Sequence, residues 1–143
     1  MKQIKLLLYG LCATCFICGS VFAEQKEVAQ FIGGTVRVSA EEMIDLIDEY
    51  EELVIIDCRK KNDITKGFID GSINLPSTET NASSLAKYVG SKTTPILFYC
   101  NGITCGRSEA AIKIAITEGY SKIYWFRGGM QEWEAKDLPV AYP

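Results

Sequence analysis

The sequence predicts an α/β domain built on a parallel sheet, and three observations predict it. Short apolar runs at residues 53–56, 96–99 and 123–126 are continuous rather than alternating, as strands covered on both faces require. Segments with helical periodicity or helix-end signals lie between and after them. A polar or reactive group follows each run: Asp57-Cys58-Arg59, Cys100, and Arg127-Gly128-Gly129. Open parallel sheets place their sites at strand carboxyl ends, so three separate segments are expected to converge on one edge.

The helices are set by end signals and periodicity. Ser39-Ala40-Glu41-Glu42 reads as a capping box. The helix it opens should carry Met43, Ile44, Ile47 and Tyr50 on its apolar face, opposite Asp45, Asp48 and Glu49. A second helix is expected over about 107–118, closed by Gly119 as its C-terminal cap, and a third over about 129–136, stopping before Pro139.

The composition of 143 residues, 48% hydrophobic and 23% charged, fits one globular domain and not a disordered, collagen-like or coiled-coil chain. With no histidine in the chain, a Ser-His-Asp triad, a Cys-His protease pair and a His-ligated zinc are excluded. No metal or other cofactor is expected. A net charge of −3 offers no nucleic-acid surface.

At the front, Lys2 and Lys5 precede an apolar stretch over residues 6–22 that ends in Val21-Phe22-Ala23. This reads as a signal peptide over 1–23, so a periplasmic or secreted protein is expected; an uncleaved segment would instead anchor it to a membrane. Cys12, Cys15 and Cys18 then act as small hydrophobes in a removable segment. A lead segment over 24–35 and one domain over 36–140 follow, with Cys58, Cys100 and Cys105 remaining. Three is odd, so at least one thiol stays unpaired in a monomer.

Chemistry concentrates in Cys100-Asn101-Gly102-Ile103-Thr104-Cys105-Gly106-Arg107-Ser108, which joins a buried strand to a helix. Two glycines let the backbone curl with its N–H groups inward, and a helix start adds unpaired N–H groups and a positive dipole end. Such a cradle binds anions and lowers the pKa of a cysteine at its rim. Without histidine, that is the available route to a Cys100 thiolate. The alternative is that Cys100 is a small buried residue at a strand end.

Four motifs in order resemble the rhodanese-like sulfurtransferases: Asp57-Cys58-Arg59; Gly67-Phe68-Ile69-Asp70-Gly71-Ser72-Ile73-Asn74-Leu75-Pro76; the Cys100 loop; and Gly128-Gly129-Met130-Gln131-Glu132-Trp133. The resemblance implies a rhodanese-like fold: a central five-stranded, mostly parallel sheet with helices on both faces. It also implies that Cys100 takes a sulfane sulfur from a small sulfur-containing anion such as thiosulfate, or from a protein persulfide. The sulfur, held as a persulfide, would pass to a thiol or cyanide acceptor. Backbone N–H groups of residues 101–106 would bind the substrate. Arg107 would either hold the anionic donor or pair with an acid at the sheet edge. Asp57 and Arg59, with Ser108, would brace the site, Trp133 would pack in the core, and Asn74 and Pro76 would shape a turn.

Two departures matter. Phe68 stands where the family has histidine, and Arg107 falls seven residues after Cys100, where five is common in the family. Related phosphatases use a longer loop for larger oxyanions, but their Cys-x5-Arg spacing differs from the Cys-x6-Arg here, and no general acid is evident. Cys105 leaves three roles open: resolving the persulfide, protecting the nucleophile, or being the nucleophile. A dithiol oxidoreductase using Cys100 and Cys105, or a non-catalytic binding module, are the alternative functions. Cys58 is expected to be buried, with a pairing to either loop cysteine conceivable.

Overall fold

The computed structural model describes residues 27–143. The expected signal peptide over 1–23 lies outside the described residues, so the structure bears on the domain alone.

In chain order the elements are β1 (Thr35–Arg37), α1 (Ala40–Glu49), β2 (Val54–Asp57), a 3-10 segment (Lys61–Lys66), β3 (Ile73–Asn74), α2 (Ala82–Tyr88), β4 (Ile96–Tyr99), α3 (Arg107–Thr117), β5 (Ile123–Phe126) and α4 (Gly129–Ala135). The strands form one five-stranded sheet in the order β1-β5-β4-β2-β3, and every pairing is parallel. All five carboxyl ends therefore lie on one edge, and β4, which Cys100 directly follows, is central.

The continuous apolar runs are explained by a core on each face. In β4, Ile96 and Phe98 enter one core while Leu97 and Tyr99 enter the other. In β2, Ile56 and Ile55 divide the same way, as do Trp125 and Phe126 in β5. The first core is closed by Leu85 of α2 and by Ala111, Ile112 and Ala115 of α3. The second is closed by Met43 and Leu46 of α1 and by Met130 and Trp133 of α4.

Helix ends follow the sequence closely. The Ser39 hydroxyl accepts from Glu42 N (3.2 Å) and Glu42 Oε2 accepts from Ser39 N (2.7 Å), completing the capping box. After α3 the chain turns through Gly119 at φ +85°, a left-handed conformation that favours glycine. The apolar face of α1 is shifted from expectation. Leu46 is buried and Ile47 is 40% exposed. The core stripe runs through Ala40, Met43 and Leu46, spaced by three, so Ile47 faces water.

The expected turn at Asn74 is instead part of β3. There Asn74 Nδ2 donates to the carbonyls of Asp57 (3.1 Å) and Arg59 (3.0 Å), fastening β3 to the strand end beside the site. Phe68 takes a backbone role, pairing as an isolated antiparallel bridge with Ala141 near the C-terminus.

Candidate active site

The site is assembled from the carboxyl ends of β2 and β4 and the N-termini of α3 and α4. Cys100 follows β4 directly and is 2% exposed. Its carbonyl accepts from Met130 N (3.0 Å), and the Asn101 carbonyl accepts from Gln131 N (2.8 Å). The first turn of α4 thus grips the first two residues of the loop. That grip requires Gly129, which sits at φ +55° with its ideal Cβ position only 2.2 Å from the Cys100 carbonyl oxygen. Gly102 is less tightly constrained, since a Cβ there would meet only the Gln131 side chain (2.0 Å from Oε1), which can move aside. A Gly129→Ala substitution is expected to cost at least about 2 kcal/mol and to push the Cys100 backbone outward. Urea unfolding monitored by tryptophan fluorescence measures the first effect.

Past Gly102 the loop turns outward. The Cys105 N–H donates to the Gly102 carbonyl (2.9 Å), so this amide serves the turn. Ile103, Thr104 and Gly106 are exposed, with Ile103 at 54%. The turn brings Cys105 back onto Cys100, and the two form a disulfide with Cα atoms 6.2 Å apart. Arg107, the first residue of α3, places Nη1 3.9 Å from Cys100 Sγ and 3.8 Å from Cys105 Sγ, and 3.8 Å from Asp63 Oδ2. The arginine therefore faces the sulfurs and an acid at once. Ser108 is buried and accepts from Trp125 Nε1 (3.0 Å), tying the start of α3 to β5.

Behind the loop lies a buried ionic network. The Arg59 guanidinium donates to Asp57 from Nη2 (2.6 Å to Oδ2) and from Nε (2.9 Å to Oδ1). Nη2 also reaches the Gly67 carbonyl (2.9 Å). The Tyr99 hydroxyl donates to Asp57 Oδ2 (2.8 Å), so Ser72 Oγ, 3.0 Å away, is left to donate to Tyr99. Asp57 and Arg59 do not reach the sulfurs; they lock the ends of β2 and β4 together. Tyr99 and Ser72 escaped the sequence reading. Tyr99 was legible only as a strand residue, although its place just before Cys100 marks it as the last inward position of β4.

Cys58 is free and buried. Burial pushes its thiol well above the ordinary cysteine value, and the adjacent Asp57 carboxylate adds to this. Burial and Asp57 raise the Tyr99 hydroxyl likewise. Both groups are neutral when protonated and ionise more readily once unfolded. Their contribution is therefore complete below the unfolded-state values and lost as pH rises beyond about 8.5 for cysteine and about 10 for tyrosine. The melting temperature is expected to fall through this alkaline window, and less so in Cys58→Ala, which scanning calorimetry checks.

Beside Arg107 is a cavity of about 390 Å³ lined in part by Lys60, Lys61, Ser77 and Thr78. Lys61 pairs with Glu79 at 2.8 Å across this rim, both side chains largely in water. A second cavity, of about 350 Å³, is lined in part by Arg59, Asp63, Lys66 and Asn101. Each cavity thus carries cationic side chains, with Glu79 in the first and Asp63 and Glu134 in the second, and Arg107 links the first to the disulfide.

The sequence profile of the rhodanese-like domain matches residues 39–136, from the cap of α1 to the end of α4. The chain belongs to the rhodanese-like domain family. Among its relatives is the uncharacterised Escherichia coli protein YibN, 29% identical over 91 residues, a match spanning 63% of this chain and 62% of YibN. A protein named sulfurtransferase from Allochromatium vinosum is 23% identical over 107 residues, covering 75% of this chain and 95% of that one. The solved BH2092 protein of Bacillus halodurans shares the fold at a TM-score of 0.66 with 22% identity, over 75% of this chain and 77% of its own. Within this rhodanese-like domain, Cys100 occupies the strand-end position from which the resemblance draws its nucleophile.

Proposed function

We propose that this rhodanese-like protein is a sulfurtransferase in which Cys100 accepts a sulfane sulfur from thiosulfate or a protein persulfide and carries it to a thiol or cyanide. The observation that carries the reading is the placement of Cys100 at the end of the central strand, inside a loop gripped by α4 and faced by Arg107. A guanidinium at that distance favours a thiolate and a persulfide anion without any imidazole. The cationic rim of Lys60, Lys61 and Arg107 suits an anionic donor, and the sulfurtransferase of Allochromatium vinosum supports the same chemistry. Export to a periplasmic or extracellular space is part of the proposal and rests on the N-terminal sequence.

Reduced protein incubated with thiosulfate is expected to release one equivalent of sulfite in a burst. Absence of sulfite after reduction overturns the reading. The Cys100–Cys105 disulfide favours one second reading, a dithiol oxidoreductase. That reading predicts exchange with dithiols and no reaction with any sulfur donor, so the sulfite burst separates the two.

A further inference from the structure

Resting on the reading of Cys100 as the sulfur carrier, we propose that Cys105 is the resolving thiol of a dithiol cycle. It displaces the carried sulfur as hydrosulfide and closes the disulfide present in this structure. The first acceptor thiol is then the chain's own.

Three features carry this. The loop's own turn, Cys105 N to Gly102 O, brings the two sulfurs into bonding contact across five residues, at a Cα separation suited to a disulfide. The two sulfurs are unequal in access: Cys100 is 2% exposed, while Cys105 is half-buried between exposed neighbours. Arg107 Nη1 stands nearly equidistant from both, at 3.9 and 3.8 Å, so it can stabilise whichever sulfur carries the negative charge.

The steps balance. The Cys100 thiolate attacks the outer sulfur of thiosulfate; the sulfur–sulfur bond of the donor breaks, and sulfite leaves with the bonding pair. The Cys105 thiolate then attacks Cys100 Sγ. The bond from Sγ to the carried sulfur breaks with its pair on that sulfur, which takes a proton from water and departs as hydrosulfide. The carried sulfur is reduced by two electrons and the cysteine pair is oxidised by two. A dithiol reductant, small or protein-borne, resets the site. Exchange favours the accessible sulfur. The reductant therefore attacks Cys105 Sγ, expelling Cys100 as a thiolate beside Arg107; its second thiol then closes its own disulfide and frees Cys105. The sum converts thiosulfate and a dithiol into sulfite, hydrosulfide and a disulfide.

The test uses the full chain, reduced, freed of reductant and given thiosulfate, followed by acid quench, pepsin digestion at the same low pH and mass measurement of the peptide that spans both Cys100 and Cys105. Wild type is expected to give the peptide lighter by two hydrogens, with one sulfide released per chain. Cys105→Ser and Cys105→Ala are expected to give it heavier by one sulfur with no sulfide released. If wild type and both variants retain the extra sulfur equally, Cys105 does not resolve it and the inference falls while the sulfur-carrier reading stands. If no protein releases sulfite or gains sulfur, the sulfur-carrier reading falls and takes the inference with it.

Discussion

Cys100→Ser is expected to lower thiosulfate-to-cyanide sulfur transfer by at least about a thousandfold while leaving the melting temperature close to that of the reduced wild type. A hydroxyl in place of the thiol keeps nearly the same volume at a 2% exposed position, so the β4 end and its grip by α4 should survive. What is lost is the nucleophile. Neither of the other described cysteines takes its place: Cys58 is fully buried in the core closed by α2 and α3, with its thiol pushed well above the ordinary value, and Cys105 sits on the outer turn of the loop. Thiocyanate formation by the reduced variant measures the effect. Retention of more than a tenth of the wild-type rate would place the chemistry on another residue.

The largest expected stability effect is at Asp57. Its carboxylate is fully buried and takes hydrogen bonds from Arg59 and Tyr99. Asp57→Ala leaves the Arg59 guanidinium, 4% exposed, with the Gly67 carbonyl and the face of the Tyr99 ring but no directly bonded carboxylate. An uncompensated buried charge costs about 3–5 kcal/mol. That is a large fraction of the roughly 5–15 kcal/mol by which a domain is stable, and should lower the melting temperature by roughly 10–20 °C. The double variant Asp57→Leu with Arg59→Met removes both charges and should recover most of the loss, because a well-packed apolar pair replaces a buried ion pair at little net cost. Chemical unfolding of the three proteins checks both statements; a double variant no better than Asp57→Ala would mean that the network contributes more than charge compensation.

How much of this was legible before the fold was in hand depended on whether the signal was local. The three central strands were legible because burial on both faces writes an unbroken apolar run, and α1 because Ser39 and Glu42 cap each other three residues apart in an exposed turn. β1 and β3 span only three and two residues, too short for any periodicity to register. α2 escaped because its seven residues bury only Leu85. At the site, the reactive loop announced itself through its cysteines and glycines. The Tyr99–Asp57 hydrogen bond joins residues 42 positions apart, and only the parallel register that sets Asp57 opposite Tyr99 brings them together. The disulfide was readable as one option among several, since the spacing of Cys100 and Cys105 permits the bond and only the turn at Gly102 brings it about.

The hold of α4 on Cys100 and Asn101 has a mechanical consequence. One side of the loop is riveted to the scaffold through two amide–carbonyl links, whereas the stretch bearing Ile103 and Thr104 projects into solvent. Breaking the sulfur–sulfur bond thus leaves a short span held at both ends, by α4 at Cys100 and Asn101 and by the start of α3 at Arg107 and Ser108, with Cys105 on its outer turn and Cys100 on the frame. A thiol-bearing visitor meets the outer sulfur first, and the inner one becomes open to attack only after that encounter.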